Sequence, residues 1–81
     1  MTPIEFYALD GCPFCAKVRE RMNELGVEYN THSVPRSHAE RTEVKELTGQ
    51  TEVPVIVDSD HGIDGMNESD DIVEYLNETY A

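Results

Sequence analysis

Two thiols two residues apart, in Cys12-Pro13-Phe14-Cys15, are the side chains whose type and spacing point most directly to a reaction. A cysteine at the start of a helix meets free backbone N–H groups and the positive end of the helix dipole, both of which favour its thiolate. Thiols in such positions have pKa values of roughly 3.5–7.5, and Cys12 is expected in that range. Cys15 lies nearly one turn deeper, within reach of a disulfide formed at Cys12. The pair therefore suits thiol–disulfide exchange, with Cys12 as attacking nucleophile and Cys15 as resolving thiol. Pro13 stiffens the turn and brings no amide hydrogen. It limits the donors that reach the sulfur, and so raises the reduction potential less than a donor-rich turn would. Pro13 and Phe14 together form the scaffold of the motif.

Other uses of these cysteines fit less well. A structural disulfide closing so small a loop would remove little chain entropy. Cys12, Cys15, His32 and His38 have intervals of 2, 16 and 5 residues, whereas a zinc finger takes about 12 between its pairs and about 3–5 between its histidines. A finger would also put Pro13 in the knuckle and leave half the chain unexplained, so no metal site is expected. His32 and His61 read as strand or turn surface residues and His38 as a first-turn residue. None receives an acid–base role. Tyr7, Tyr29, Tyr75 and Tyr80 read as packing residues.

The elements that must position the thiols follow from periodicity. Ile4 to Leu9 is a short apolar run ending at Asp10-Gly11, a buried strand. From Pro13 the period becomes helical, with Cys15, Val18, Met22 and Leu25 on one face and Gly26 as the stop. Val27 to Val34 is a more polar strand, closed by Pro35. Ser37-x-x-Glu40 has the form of a capping box opening a second helix that carries Val44 and Leu47 and ends at Gly49. Val53 to Val57 is a β-branched strand, and the turn from Asp58 to Gly62 leads to a short strand near Ile63, predicting a hairpin. A last helix, capped near Ser69, has Asp70 and Asp71 in its first turn and Ile72, Val73, Leu76 and Tyr80 on its apolar face. The order is β-α-β-α-β-β-α. A right-handed crossover makes the first two strands parallel, so an α/β fold with a four-stranded mixed sheet and helices on both faces is expected.

The chain has 81 residues, which match one domain over 1–81. Seventeen Asp plus Glu against six Lys plus Arg give a formal net charge of −11. That balance argues against nucleic acid and anionic membrane surfaces as partners, since both are held largely by Lys and Arg. No basic stretch precedes an apolar run at the N-terminus, and no apolar stretch approaches the ~20 residues that span a bilayer. A soluble, cytoplasmic, monomeric domain is the expectation. The patterned apolar segments favour a folded domain with a solvated acidic shell over disorder. Such shells resemble those of proteins from salt-loving microbes, where a Debye length of about 3 Å at 1 M salt relieves self-repulsion.

Taken together, the Cys12-to-Cys15 motif, Val53-Pro54 ahead of a strand and a terminal Gly-plus-acidic helix resemble a glutaredoxin over nearly the whole chain. The family typically has Cys-Pro-Tyr-Cys where this chain has Cys-Pro-Phe-Cys. The resemblance implies a thioredoxin-like fold and a dithiol–disulfide oxidoreductase that reduces protein disulfides, mixed disulfides with a low-molecular-weight thiol, or both. It also implies a cis Pro54 facing the cysteines and a Val53 main chain that pairs with the cysteine part of glutathione. No tightly bound cofactor is implied.

Several positions depart from that pattern. Leu9 stands where many glutaredoxins carry Lys, and Glu52 where they carry Thr. The usual Gly-Gly-x-Asp-Asp segment is replaced by Gly65-Met66-Asn67-Glu68-Ser69-Asp70-Asp71-Ile72. Glu68-Ser69 with Ile72 and Tyr75-Leu76 is similar to the N-terminal domain of glutathione transferases, where the Glu-Ser pair holds the γ-glutamyl end of glutathione. Ser69 thus reads both as a helix cap and as a ligand contact, and Glu68 both as a surface acid and as an acceptor for an α-amino group. Gln50, Thr51 and Arg41 are the weak donors available for a glycyl carboxylate, so glutathione and the smaller γ-glutamylcysteine are both candidate thiols. Two alternatives stand beside the oxidoreductase: a transferase-like thiol-binding domain, and an iron–sulfur cluster-binding module, which the motif proline disfavours.

Overall fold

The computed structural model describes residues 3–81. Its elements are β1 (Ile4–Ala8), α1 (Pro13–Leu25), β2 (Tyr29–Ser33), a 3-10 turn (His38–Glu40), α2 (Thr42–Thr48), β3 (Val55–Asp58), a second 3-10 turn (Ser59–His61), β4 (Ile63–Met66) and α3 (Ser69–Tyr80). One mixed sheet has the strand order β2-β1-β3-β4. β1 runs parallel to β2 and antiparallel to β3, and β3 to β4 is the expected hairpin. The order, the mixed four-stranded sheet and the thioredoxin-like arrangement agree with the reading from sequence.

Side-chain alternation along the strands divides the core between two faces. Ile4, Phe6, Ala8 and Ile56 pack with Cys15, Val18 and Met22 of α1 and Ile72 and Leu76 of α3. Tyr7 and Val55 point the other way and meet Val44 of α2. Burying each of the larger apolar side chains contributes about 1.5–3 kcal/mol, so the first face carries most of the packing. α1 starts at Pro13, where a missing N–H costs nothing, and stops at Gly26, whose φ of 69° returns its amide to Asn23 and Met22.

Three local expectations need correction. The second helix does not run from Ser37: the Ser37 and Glu40 side chains form no capping box, a 3-10 turn intervenes, and α2 begins only at Thr42. The cause is Arg41, which leaves helical geometry at φ −85° and ψ 60° and turns its side chain inward. Leu47, assigned to the helix face with Val44, is 38% exposed. Ser69 is the first helical residue of α3; Glu68 holds the cap position, and no side chain caps the helix.

The tyrosines of α3 also do more than pack. Asp58 is fully buried at the end of β3, and its Oδ2 accepts from Tyr75 Oη and Tyr80 Oη, both at 2.5 Å, and lies 3.0 Å from His61 Nδ1. Among the described residues its Oδ1 has no partner. Burial opposes the charge of Asp58, but the hydrogen bonds from Tyr75, Tyr80 and His61 outweigh it and hold the carboxyl below its ordinary range. Burial and the Asp58 carboxylate push Tyr75 well up and Tyr80 up to about 12. This network ties the last turn of α3 to the β3–β4 hairpin, at the end of the sheet away from the cysteines.

Candidate active site

Antiparallel pairing brings three distant segments to one end of the sheet. β1 delivers Leu9 and Cys12 beyond its last residue, Ala8. β3 pairs Val55 with Tyr7, so Val53 and Pro54, just ahead of β3, fall at the same edge. β4 returns Met66 opposite Ile56, which places Asn67, Glu68 and Ser69 there too. The result is a cleft of about 400 Å³ lined by Leu9, Cys12, Phe14, His38, Arg41, Glu52, Val53, Pro54, Asn67, Glu68, Ser69 and Asp70. Pro13 opens α1 beside the cleft, and Cys15 lies beneath it in the core. The Val53–Pro54 peptide is cis.

The two thiols are both free but live in different surroundings. Cys12 is half-buried at the N-cap of α1, in extended backbone at φ −78° and ψ 119°. Burial works against its thiolate. The amides of Cys15 and Phe14, the Cys15 thiol and the charge of Arg41 work for it and prevail, so its pKa falls below the ordinary thiol value. Pro13 has no amide to offer, and the donors come from the next two residues. Cys15 is fully buried, which pushes its thiol up to about 11; the neighbouring Cys12 adds to the rise, while the Leu9 backbone and Arg19 oppose it. One sulfur thus reaches the cleft with its thiolate favoured, and the other is covered with its thiol favoured.

Arg41 is the residue of this site that sequence reasoning undervalued. It is only 5% exposed, and its guanidinium donates to the carbonyls of Pro35 (Nε, 2.8 Å), Thr51 (Nη1, 2.9 Å) and Arg36 (Nη2, 3.2 Å). An arginine in a polar loop with no periodic partner carries no local signal for such burial. The other two weak donor candidates are also engaged in the loop. Gln50 Nε2 donates to Thr48 Oγ1 and the Glu52 carbonyl, its Oε1 accepts from the Glu52 amide, and Thr51 Oγ1 bonds His38 Nδ1 at 2.9 Å. Neither Gln50 nor Thr51 lines the cleft, whereas His38, expected only as a first-turn residue, does.

The start of α3 lines the cleft, and among the described residues no side chain caps its first amides. The first bond of the helix runs from the Ile72 amide to the Glu68 carbonyl at 2.8 Å, so the amides before it are not spent within the helix. With no capping bond from Glu68 or Ser69, this end can receive a ligand carboxylate. Asp70 pairs with Lys17 of α1 across the helix pair.

The family described as "Glutathione S-transferase, N-terminal domain" matches residues 6–81. An uncharacterized glutaredoxin-like 8.6 kDa protein of Clostridium pasteurianum is 32% identical over 67 residues, 83% of this chain and 89% of that protein. A glutathione S-transferase of the Antarctic clam Laternula elliptica superposes with a TM-score of 0.83 at 31% identity, covering 98% of this chain and 36% of that one. Glutaredoxin 2 of Salmonella typhimurium, solved in complex with glutathione, superposes with a TM-score of 0.81 at 25% identity, covering 95% and 34%. The chain spans about a third of the length of these two solved proteins.

Proposed function

Because this chain belongs to the family of glutathione S-transferase N-terminal domains and has glutaredoxin-like relatives, we propose that it is a dithiol–disulfide oxidoreductase working with a low-molecular-weight thiol. The observation that carries the reading is the asymmetry of the thiols: Cys12 is half-buried in the cleft with a lowered pKa, and Cys15 is buried against it with a pKa of about 11.

In the proposed cycle the Cys12 thiolate attacks one sulfur of a substrate disulfide. A Cys12–substrate disulfide forms, and the other sulfur leaves as a thiolate that takes up a proton. Forming that bond removes the charge on Cys12, which is one of the influences that hold Cys15 protonated. Cys15 then loses its proton and attacks the Cys12 sulfur, releasing the second substrate thiol and leaving a Cys12–Cys15 disulfide. Two electrons and two protons have passed to the substrate. Two molecules of a small thiol, glutathione or γ-glutamylcysteine, restore the dithiol and leave as their own disulfide. Such a small thiol can be held by the Val53 main chain beside Pro54, by the free amides of α3 at Ser69, and by Glu68 as acceptor for its α-amino group. The complex of Glutaredoxin 2 with glutathione supports this choice.

Turnover assays with cysteine variants test the reading. Cys12→Ser should abolish all disulfide reduction. Cys15→Ser should spare reduction of small mixed disulfides and abolish reduction of protein disulfides. Activity retained in Cys12→Ser would overturn the mechanism. The match over residues 6–81 and the place of Glu68-Ser69 in the cleft favour a transferase-like thiol-binding domain as second reading. Conjugation of an electrophile without disulfide turnover would establish it.

A further inference from the structure

The charges around Cys12 are unevenly available. Arg41 is the cation that lines the cleft, and three of its nitrogens already donate to loop carbonyls. Asp70 is offset by Lys17. Glu52 and Glu68 line the same cleft from two segments, one ahead of Pro54 and one at the start of α3. Both are exposed, and neither side chain makes an ion pair among the described residues. Phe14, two residues from the attacking sulfur and 61% exposed, lines the same cleft as an apolar contact surface among these acids.

We propose that the cleft selects disulfides in polypeptides whose flanking residues are cationic, with Glu52 and Glu68 as the specificity-determining side chains and Phe14 as the apolar contact beside the reacting sulfurs. This rests on the oxidoreductase reading and specifies its substrate class. Two carboxylates without partners attract a Lys- or Arg-bearing segment and repel an acidic one, which acts first on the rate of encounter. Arg41 keeps its charge, but it is buried and its nitrogens already donate to loop carbonyls, so it sets one cation without free donors against two exposed carboxylates. The chemical step is unchanged: the Cys12–Cys15 dithiol gives up two electrons and two protons to the polypeptide disulfide and becomes oxidised. A pre-reduced protein therefore needs no further reductant for one turnover.

The test is a single-turnover experiment with pre-reduced protein and two peptides, each closed by one disulfide and flanked by Lys in one case and Glu in the other. Each second-order rate constant is divided by that for dithiothreitol with the same peptide, because flanking Lys also speeds exchange by lowering the pKa of the leaving thiol. The normalised Lys:Glu ratio is expected to be about tenfold or more at low salt and to shrink severalfold at 1 M KCl, where charges beyond about 3 Å are screened. Glu52→Gln and Glu68→Gln should each lower the low-salt ratio. Glu24→Gln, the same charge change on an exposed face of α1, should leave it in place. Equal normalised rates for the two peptides would overturn the selectivity and leave the oxidoreductase reading standing. A fall in Glu24→Gln as large as in the cleft variants would also overturn it, by assigning the effect to net charge. Reduction of neither peptide would overturn both.

Discussion

Replacing Arg41 by Met isolates the joint between the loop and the thiol. Methionine keeps much of the apolar stem while removing the charge and the planar fork. Three hydrogen bonds are lost, to the carbonyls of Pro35, Thr51 and Arg36. Bonds from a charged donor contribute about 1.5–3 kcal/mol each, so simple addition gives roughly 4.5–9 kcal/mol. Pro35 and Arg36 are exposed, and water can reach their carbonyls once the guanidinium is gone. A net loss of about 3 kcal/mol is therefore expected. A domain of this size is stable by roughly 4–12 kcal/mol, so the variant should remain folded. Its melting temperature should fall by roughly 12–24 °C, at about 4–8 °C per kcal/mol. Equilibrium urea unfolding measures the first quantity, and thiolate absorbance against pH measures a second. The Arg41 charge is one of the influences that lower the Cys12 pKa, so that pKa should rise in Arg41→Met. Arg41→Lys keeps the charge without the fork, and should restore the thiol titration more fully than the stability. A loss of under 0.5 kcal/mol in Arg41→Met, on the scale of ordinary surface substitutions, would refute the claim that this side chain builds the loop.

Four other outcomes can be checked. Asp58 has a depressed pKa in the folded protein, so its contribution is present above the ordinary carboxylate range and is lost as pH falls through the folded value; Asp58→Asn should flatten the acid limb of a stability–pH curve. Tyr80, raised to about 12, has the opposite sign: its contribution is full below about 10 and is lost as pH rises through the folded value, which a Tyr80→Phe variant followed by alkaline unfolding would show. The −11 net charge disfavours an anionic sulfur, so the Cys12 pKa should fall as ionic strength rises; a value unmoved by salt would mean that only the helix terminus and Arg41 matter. Gly65→Ala would place a Cβ 3.1 Å from the Leu47 carbonyl oxygen and 3.0 Å from Thr48 Cγ2, and should cost about 1–3 kcal/mol in urea unfolding.

What depends on neighbours along the chain is legible in the residues themselves. The apolar run from Ile4 to Leu9, the β-branched run from Val53 to Val57 and the helical spacing from Cys15 to Leu25 suffice for these elements. Those patterns are repeated along each segment and outweigh any single residue. The place of Cys12 at the start of α1, with Cys15 nearly one turn deeper, was legible for the same reason, because a strand-to-helix junction supplies its own N–H groups. Tertiary structure decided the rest. Cys12, Val53, Glu68 and Arg41 meet only because strand pairing carries distant segments to one edge, and register is not written in any one of them. Arg41 breaks the expected second helix, and Asp58 gathers Tyr75, Tyr80 and His61. Both are buried polar groups whose partners lie elsewhere in the fold, and a polar group taken from water must find partners wherever the packing leaves them.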